Sequence, residues 1–192
     1  VCKIANIMKW SMSDAELLCS FGEIKQIGYL TNDIENAMQA WVKKSGVGPF
    51  TWYRNVRLKS VYKGEPSTIM MDVGIAFRGN QQIELIQQTN EAPSPYLEFF
   101  QQGRMGMHHI AYGSRDMDAD IQKARDAGFE IICTIDAMIG RYAYFQDPAM
   151  PENFFEFLAV TDDLEKYWQQ SMEEARSWDG SKPIRVIDLK GI

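Results

Sequence analysis

The sequence predicts an α+β fold of two tandem βαβββ modules. Two internal echoes and one scarcity point to it. In the first echo, Lys25-Gln26-Ile27-Gly28-Tyr29-Leu30-Thr31-Asn32-Asp33-Ile34 reads like His108-His109-Ile110-Ala111-Tyr112-Gly113-Ser114-Arg115-Asp116-Met117. Each copy is a short apolar strand, a polar break and the start of an amphipathic helix. In the second, Phe77-Arg78-Gly79-Asn80 leads into Gln82-Ile83-Glu84-Leu85-Ile86, and Phe145-Gln146-Asp147-Pro148 leads into Phe154-Phe155-Glu156-Phe157-Leu158. Repeated sequence implies repeated supersecondary structure. The scarcity is of histidine. His108 and His109 are the only two and they are adjacent, so a site needing several imidazoles on one face is excluded.

The elements follow in order. Residues 1–22 read as a peripheral helix and lead-in, and 23–90 as the first module. There Asn32 or Asp33 caps a helix with Glu35 in its first turn. Ile34, Ala37, Met38, Trp41 and Val42 fall on one helical face, and Gly46 is the stop. Strands are expected near 51–63, 69–77 and 82–88. Residues 91–104 form a linker with a short helix around Tyr96 to Gln102. The second module spans 105–160. Asp116 caps its helix, Asp118 and Asp120 favour the positive end, Met117, Ile121 and Ala124 form the buried stripe, and Gly128 ends it. Its strands are expected near 129–135, 141–146 and 154–160. Residues 161–192 supply a C-terminal helix over 161–178 and a tail with a late strand at Ile184-Arg185-Val186-Ile187.

Composition narrows the function classes. The chain has 192 residues, 45% hydrophobic and 24% charged, enough for one sizeable core or two small modules fused into one. Its net charge of −6 offers no counterion-release affinity for nucleic acid, and anionic membrane surfaces repel it. No apolar run approaches a membrane span. The three cysteines, Cys2, Cys19 and Cys133, are widely spaced and form no CxxC pair, which fits reduced thiols in a cytoplasmic protein. There is no P-loop, no Gly-x-Ser-x-Gly elbow and no His-Glu-x-x-His zinc motif.

Strand alternation brings four polar residues to one place. Gln26 shares a face with Gly28 and Leu30, His109 with Ala111 and Gly113, Glu84 with Ile86, and Glu156 with Phe154 and Leu158. A carboxylate on an apolar, inward face is costly to bury unless it is paired or holds a metal. This setting recurs at corresponding points of the repeat, so each module offers one neutral and one acidic ligand. Two carboxylates balance one divalent cation, and an amide oxygen and an imidazole complete the set. Mixed N/O ligation without thiolate suits Zn²⁺, Ni²⁺, Co²⁺, Mn²⁺ or Fe²⁺. If His109 points inward, parity sends His108 to the opposite face as a packing or surface residue. Arg54, Arg57, Lys59 and Lys63 form a basic run that reads either as a solvated strand face or as a holder of a substrate anion. Trp52, Tyr53, Tyr142 and Tyr144 either line a substrate cleft or pack.

At these residues the chain resembles the glyoxalase/bleomycin-resistance/dioxygenase superfamily, the vicinal oxygen chelate proteins, over roughly residues 24–160. Val47-Gly48-Pro49-Phe50, Ser94-Pro95-Tyr96-Leu97-Glu98-Phe99-Phe100 and Gly106-Met107-His108-His109-Ile110-Ala111-Tyr112 are similar to methylmalonyl-CoA epimerases and their glyoxalase-like relatives. The resemblance implies paired βαβββ modules forming a curved mixed sheet around a metal cleft, with ligands on the first and last strands of each, which fall on Gln26, Glu84, His109 and Glu156. Two stretches depart from it. Epimerases carry a general-base Glu on the strand that here reads Thr68-Ile69-Met70-Met71-Asp72, which leaves Asp72 as a replacement. The approach Asp147-Pro148-Ala149-Met150-Pro151-Glu152-Asn153 also differs from the Asp-Pro-Asp-Gly turn of glyoxalase I.

The implied activity is a metal-dependent isomerase, epimerase or lyase acting on a carbonyl-containing small molecule through an enolate or enediolate. Resemblance to glyoxalase I implies that Glu156 serves as both ligand and base, with Asp72 the alternative base. Trp52, Tyr144 and Arg57 are the expected substrate contacts. Lactoylglutathione lyase activity and a metal-free small-molecule binding or resistance protein are the competing readings. An extradiol dioxygenase needs two histidines and a carboxylate on iron, and Gln26 stands where one histidine would be. Because relatives pair modules within or between chains, a homodimer is expected.

Overall fold

The structure, a computed structural model, describes residues 21–137 and 140–191. The expected helix within 1–22 lies, but for its last two residues, outside the described residues, as do Cys2 and Cys19. In chain order the elements are β1 (Ile24–Leu30), α1 (Ile34–Ala40, extended by a wider π-type turn over Trp41–Ser45), β2 (Phe50–Tyr62), β3 (Glu65–Arg78), β4 (Gln81–Gln88) and α2 (Pro95–Gln101). Then come β5 (Gly106–Ser114), α3 (Met117–Asp126), β6 (Glu130–Ala137), β7 (Gly140–Gln146), β8 (Phe154–Ala159), α4 (Asp162–Ser177) and β9 (Ile184–Asp188).

Local chemistry starts each helix where the sequence predicts. The Asn36 amide donates to Asp33 Oδ1 at 3.1 Å, and the Ala119 amide donates to Asp116 Oδ1 at 3.1 Å. Ser94 caps α2 by accepting from the Leu97 amide, with Pro95 in the first turn, and Thr161 caps α4 through the Leu164 amide. Gly46 closes α1 in the left-handed region at φ 61°, which only glycine adopts without strain.

The strands form one sheet in the order β3-β4-β1-β5-β8-β7-β6-β2-β9, and β2 also pairs with β3. That pairing closes the first eight strands into a curved barrel. Each βαβββ module contributes four of them in the same internal order, β1-β4-β3-β2 and β5-β8-β7-β6. The modules join antiparallel at β1–β5 and, over Ser60 to Tyr62, at β2–β6. The register reproduces the repeat. Gln26 lies opposite Gln82 and Gly28 opposite Glu84 on the parallel pair β1–β4, while His109 lies opposite Phe154 and Ala111 opposite Glu156 on β5–β8.

The core has a part for each layer. Inside the barrel, Leu58, Ile69, Met71, Ile86, Ile135 and Tyr144 pack together. Helix α1 lays Ile34 and Met38 on the outer face over Phe50 and Leu85, and α3 lays Met117 and Ala124 over Phe145 and Phe157. Gly74 makes room for α1, since a Cβ there would stand 2.9 Å from Met38 Sδ. The C-terminal segment folds back on its own barrel. Trp168 of α4 packs on Phe77 and Leu158, β9 runs parallel to the first part of β2, and Arg185 donates to both oxygens of Glu174 at 2.7 and 2.9 Å.

Candidate functional site

Four adjacent strands, β4, β1, β5 and β8, each send one polar side chain to the same point, and His109 Nε2 is its centre. Gln26 Oε1 lies 3.2 Å from it, Glu84 Oε2 3.4 Å and Glu156 Oε2 3.2 Å. The His109 side chain is fully buried and the Glu156 side chain 5% exposed, while Glu84 keeps 15%. The amide of Gln26 is oriented by Gln82, whose Oε1 accepts from Gln26 Nε2 at 2.6 Å, so the Gln26 oxygen is the atom turned to the centre. Gly28, directly across from His109, supplies the space for the ring. A Cβ there would sit 1.9 Å from His109 Cε1.

The electrostatics follow from burying opposite charges together. Burial alone would lower the His109 pKa, but Glu156 and Glu84 outweigh it and raise it to about 9. Burial raises the Glu156 carboxyl above the usual range, with His109 opposing and Glu84 adding to the rise. Burial also pushes the Cys133 thiol up to about 12, which leaves it in its un-ionised, unreactive form near neutral pH.

Among the described residues, no group of three or more His, Cys, Asp or Glu side chains is placed to hold a metal ion. The cluster reaches four donors only with the Gln26 amide, and its spacing suits a shared ion. Two donors each about 2.1 Å from one cation, at tetrahedral or right-angle geometry, are themselves about 3.0–3.4 Å apart. The chemistry of the set fits as well: two carboxylates, one imidazole and one amide oxygen.

His108 departs from the parity expectation. Gly28 pairs with His109 and Tyr29 with Met107, so His108 is the extra residue of a β-bulge. Both histidines are therefore buried. The His108 ring stacks on Phe154, packs edge-on to Phe99, and brings its Nδ1 to 2.9 Å from His109 Nδ1. Burial and the neighbouring His109 hold its pKa well below the usual imidazole range. His108 Nε2 is buried without a hydrogen-bond partner.

The cluster forms part of the wall of a cavity of about 260 Å³ inside the barrel. Of the expected substrate contacts, Tyr144 lines it, with its hydroxyl 2.9 Å from that of Tyr96. Trp52, Arg57 and Asp72 are not among its lining residues. Val73, Ile75 and Met71 of β3 face the cavity, so Asp72 faces out. There it accepts from Trp52 Nε1 at 3.2 Å and the Asn55 amide at 2.9 Å, with Arg54 Nε at 3.7 Å. It serves there as an acceptor on the convex face. Trp52 lies on that same face beside α1. A bulge at Asn55, φ 58°, switches the inward set on β2 from Tyr53 to Val56 and Leu58, which leaves Arg57 exposed.

Several residues that shape the site escaped the sequence reading. Gln82 and Gly28 sit two positions from Glu84 and Gln26, and same-face parity would have found them. The contributions of Tyr96 and of Leu164, Tyr167 and Trp168 from α4 are tertiary and left no local signal.

A barrel of two pseudo-equivalent βαβββ modules with a polar cluster on its central strands is the architecture of the vicinal oxygen chelate proteins. A family model described as the Glyoxalase/Bleomycin resistance protein/Dioxygenase superfamily matches residues 25–145, and the chain belongs to this superfamily. Similar solved structures include a hypothetical protein from Bacillus halodurans, 20% identical with a TM-score of 0.55, over 73% of this chain and 95% of that one. A Streptomyces coelicolor methylmalonyl-CoA epimerase in complex with 2-nitronate-propionyl-CoA is 18% identical with a TM-score of 0.52, over 74% and 97%. The methylmalonyl-CoA epimerase of Mycobacterium tuberculosis is 15% identical, also at a TM-score of 0.52, over 74% and 91%. At these identities the likeness is one of fold. No curated protein sequence matches the chain.

Proposed function

We propose that the protein is a metal-dependent isomerase, epimerase or lyase that moves a proton next to the carbonyl of a small molecule. One observation carries this reading: Gln26, Glu84 and Glu156 converge on His109 at the wall of a largely apolar cavity. These four would hold one divalent cation, of the Zn, Ni, Co, Mn or Fe group. Bound there, the ion would act as a Lewis acid on a carbonyl oxygen.

The protein's own groups do the rest. Glu156 lines the cavity beside the centre, so it is the carboxylate assigned to take the α-proton, once released from the ion. Glu84 shares the wall and keeps the remaining negative charge. His109 must present Nε2 as a neutral donor, which puts its proton on Nδ1. His108 Nδ1, held unprotonated, accepts that N–H and orients the ring. The apolar walls exclude water from the reacting carbon.

The test is to load the purified protein with each metal, remove the excess, and measure metal content and α-proton exchange in deuterated buffer. About one ion per chain is expected. Glu156→Gln that keeps metal but loses exchange would identify the base; a protein that takes up no metal sinks the metalloenzyme reading.

A metal-free binding protein remains the second reading, favoured by the direct pairing of His109 with Glu84 and Glu156. The same metal assay separates the two. We place the protein in the cytoplasm, on its free, buried thiol at Cys133. The partner set is a small-molecule substrate and a second copy of the chain.

A further inference from the structure

We infer that the substrate of this cavity is a compact, uncharged and largely apolar carbonyl compound, not an anionic acid and not the whole of a nucleotide thioester. This rests on the reading of the cavity as the reaction site, and sharpens it to a substrate class.

Charge comes first. Among the described residues, no Lys or Arg lines the cavity, whose charged wall groups are Glu84 and Glu156. The basic residues near it are committed elsewhere or point away. Arg185 is paired with Glu174, Arg54 lies against Asp72, Lys63 pairs with Glu98, and Arg57 is exposed on the outer face. The centre itself gives an anion nothing to pair with. Two carboxylates face a single imidazole there, and a divalent cation held by them would already have its charge matched. A substrate carboxylate would lose its water and gain no counter-charge beyond an already neutralised centre.

Shape and polarity agree. The cavity, about 260 Å³, falls below the roughly 300–1,000 Å³ of sites that take drug-sized ligands. Most of its wall is apolar, with Val56, Leu58, Met71, Val73, Ile86 and Leu158 facing in. The neutral hydroxyls of Tyr142 and Tyr144 are its nearby polar handles, and burial keeps both protonated. Leu164, Tyr167 and Trp168 of α4 and Leu189 of the tail also face the cavity and narrow its opening. Tyr167 is tied down by the Tyr53 hydroxyl at 3.0 Å. These residues lie beyond 25–145, the stretch matched by the family, so this narrowing is added by the chain's own C-terminal segment.

The experiment compares mandelamide with mandelate, two molecules of nearly the same shape that differ in charge. Each is titrated by calorimetry into the full chain, metal-free and metal-loaded, with metal content measured on the same samples. The expected result is saturable binding of mandelamide, tighter than mandelate by about tenfold or more in both states, a ratio equal to about 1.4 kcal/mol. Equal or tighter binding of mandelate in either state overturns the inference, as does failure of both to saturate at millimolar concentration. Failure to load metal is a separate outcome. It defeats the metalloenzyme reading, while the amide-over-acid preference is still read on the metal-free protein.

Discussion

Gly28 and His108 constrain His109 more tightly than the residues that share its charge. Gly28 is the only residue type that leaves the imidazole its place, because any Cβ overlaps the ring. Gly28→Ala is expected to cost about 1–3 kcal/mol of stability and to abolish metal uptake while the far-UV spectrum stays that of the parent. Urea unfolding and metal analysis check both halves; metal retention at the parental level would contradict the placement of the ring. His108 acts through a single atom. His108→Asn keeps an acceptor near the position of Nδ1 and is expected to retain metal affinity. His108→Leu removes it and is expected to weaken affinity by about 10–100-fold. Isothermal titration with zinc decides between this role and simple packing, since packing would make the leucine variant the better of the two.

The decisive events on the strands are two bulges. One, on β5 at His108, turns both histidines inward; the other, on β2 at Asn55, turns the basic stripe outward and Tyr53 inward. Each is a one-residue insertion in a ladder, and each reverses every orientation inferred from alternation beyond it. Helix α4 shows the same dependence on context. Its sequence predicts a helix over 161–178, but not that Trp168 would be buried at 4% exposure against Phe77 and Leu158. Trp168→Ala should lower stability by about 3–5 kcal/mol, measured by denaturant unfolding. A loss below 1 kcal/mol would mean that α4 does not seal the barrel in solution.

For the whole molecule, closure of the barrel within one chain changes the reason for expecting a dimer. Two modules in one polypeptide already cover each other, so no half-covered sheet demands a partner. What remains is β9, which ends the sheet order with Val186 56% and Ile187 43% exposed. A free, apolar edge strand is a ready surface for a second copy. Sedimentation at micromolar concentration is expected to give a dimer that Val186→Lys converts to monomer. A monomer in the parent protein would remove the homodimer from the proposal.

The sequence by itself determined the repeat, the order of the elements and the four polar residues of the cluster, because each depends on spacing along the chain. Echoed strands, Asp caps and a carboxylate among apolar neighbours are local facts. Gln26 and Glu84 could be matched to His109 and Glu156 without coordinates because equivalent points of a repeat meet when its modules pair. Only the tertiary structure decided what faces what. The sides taken by His108 and Arg57 depend on bulges, which leave no mark in hydrophobic periodicity, and those of Trp52 and Asp72 on which face of the sheet closes inward. Gly28 matters because of a ring on the neighbouring strand, and Gln82 because of an amide on another. The wall contributed by α4 and the tail is a contact between segments far apart in sequence, and nothing within either segment encodes the other's position.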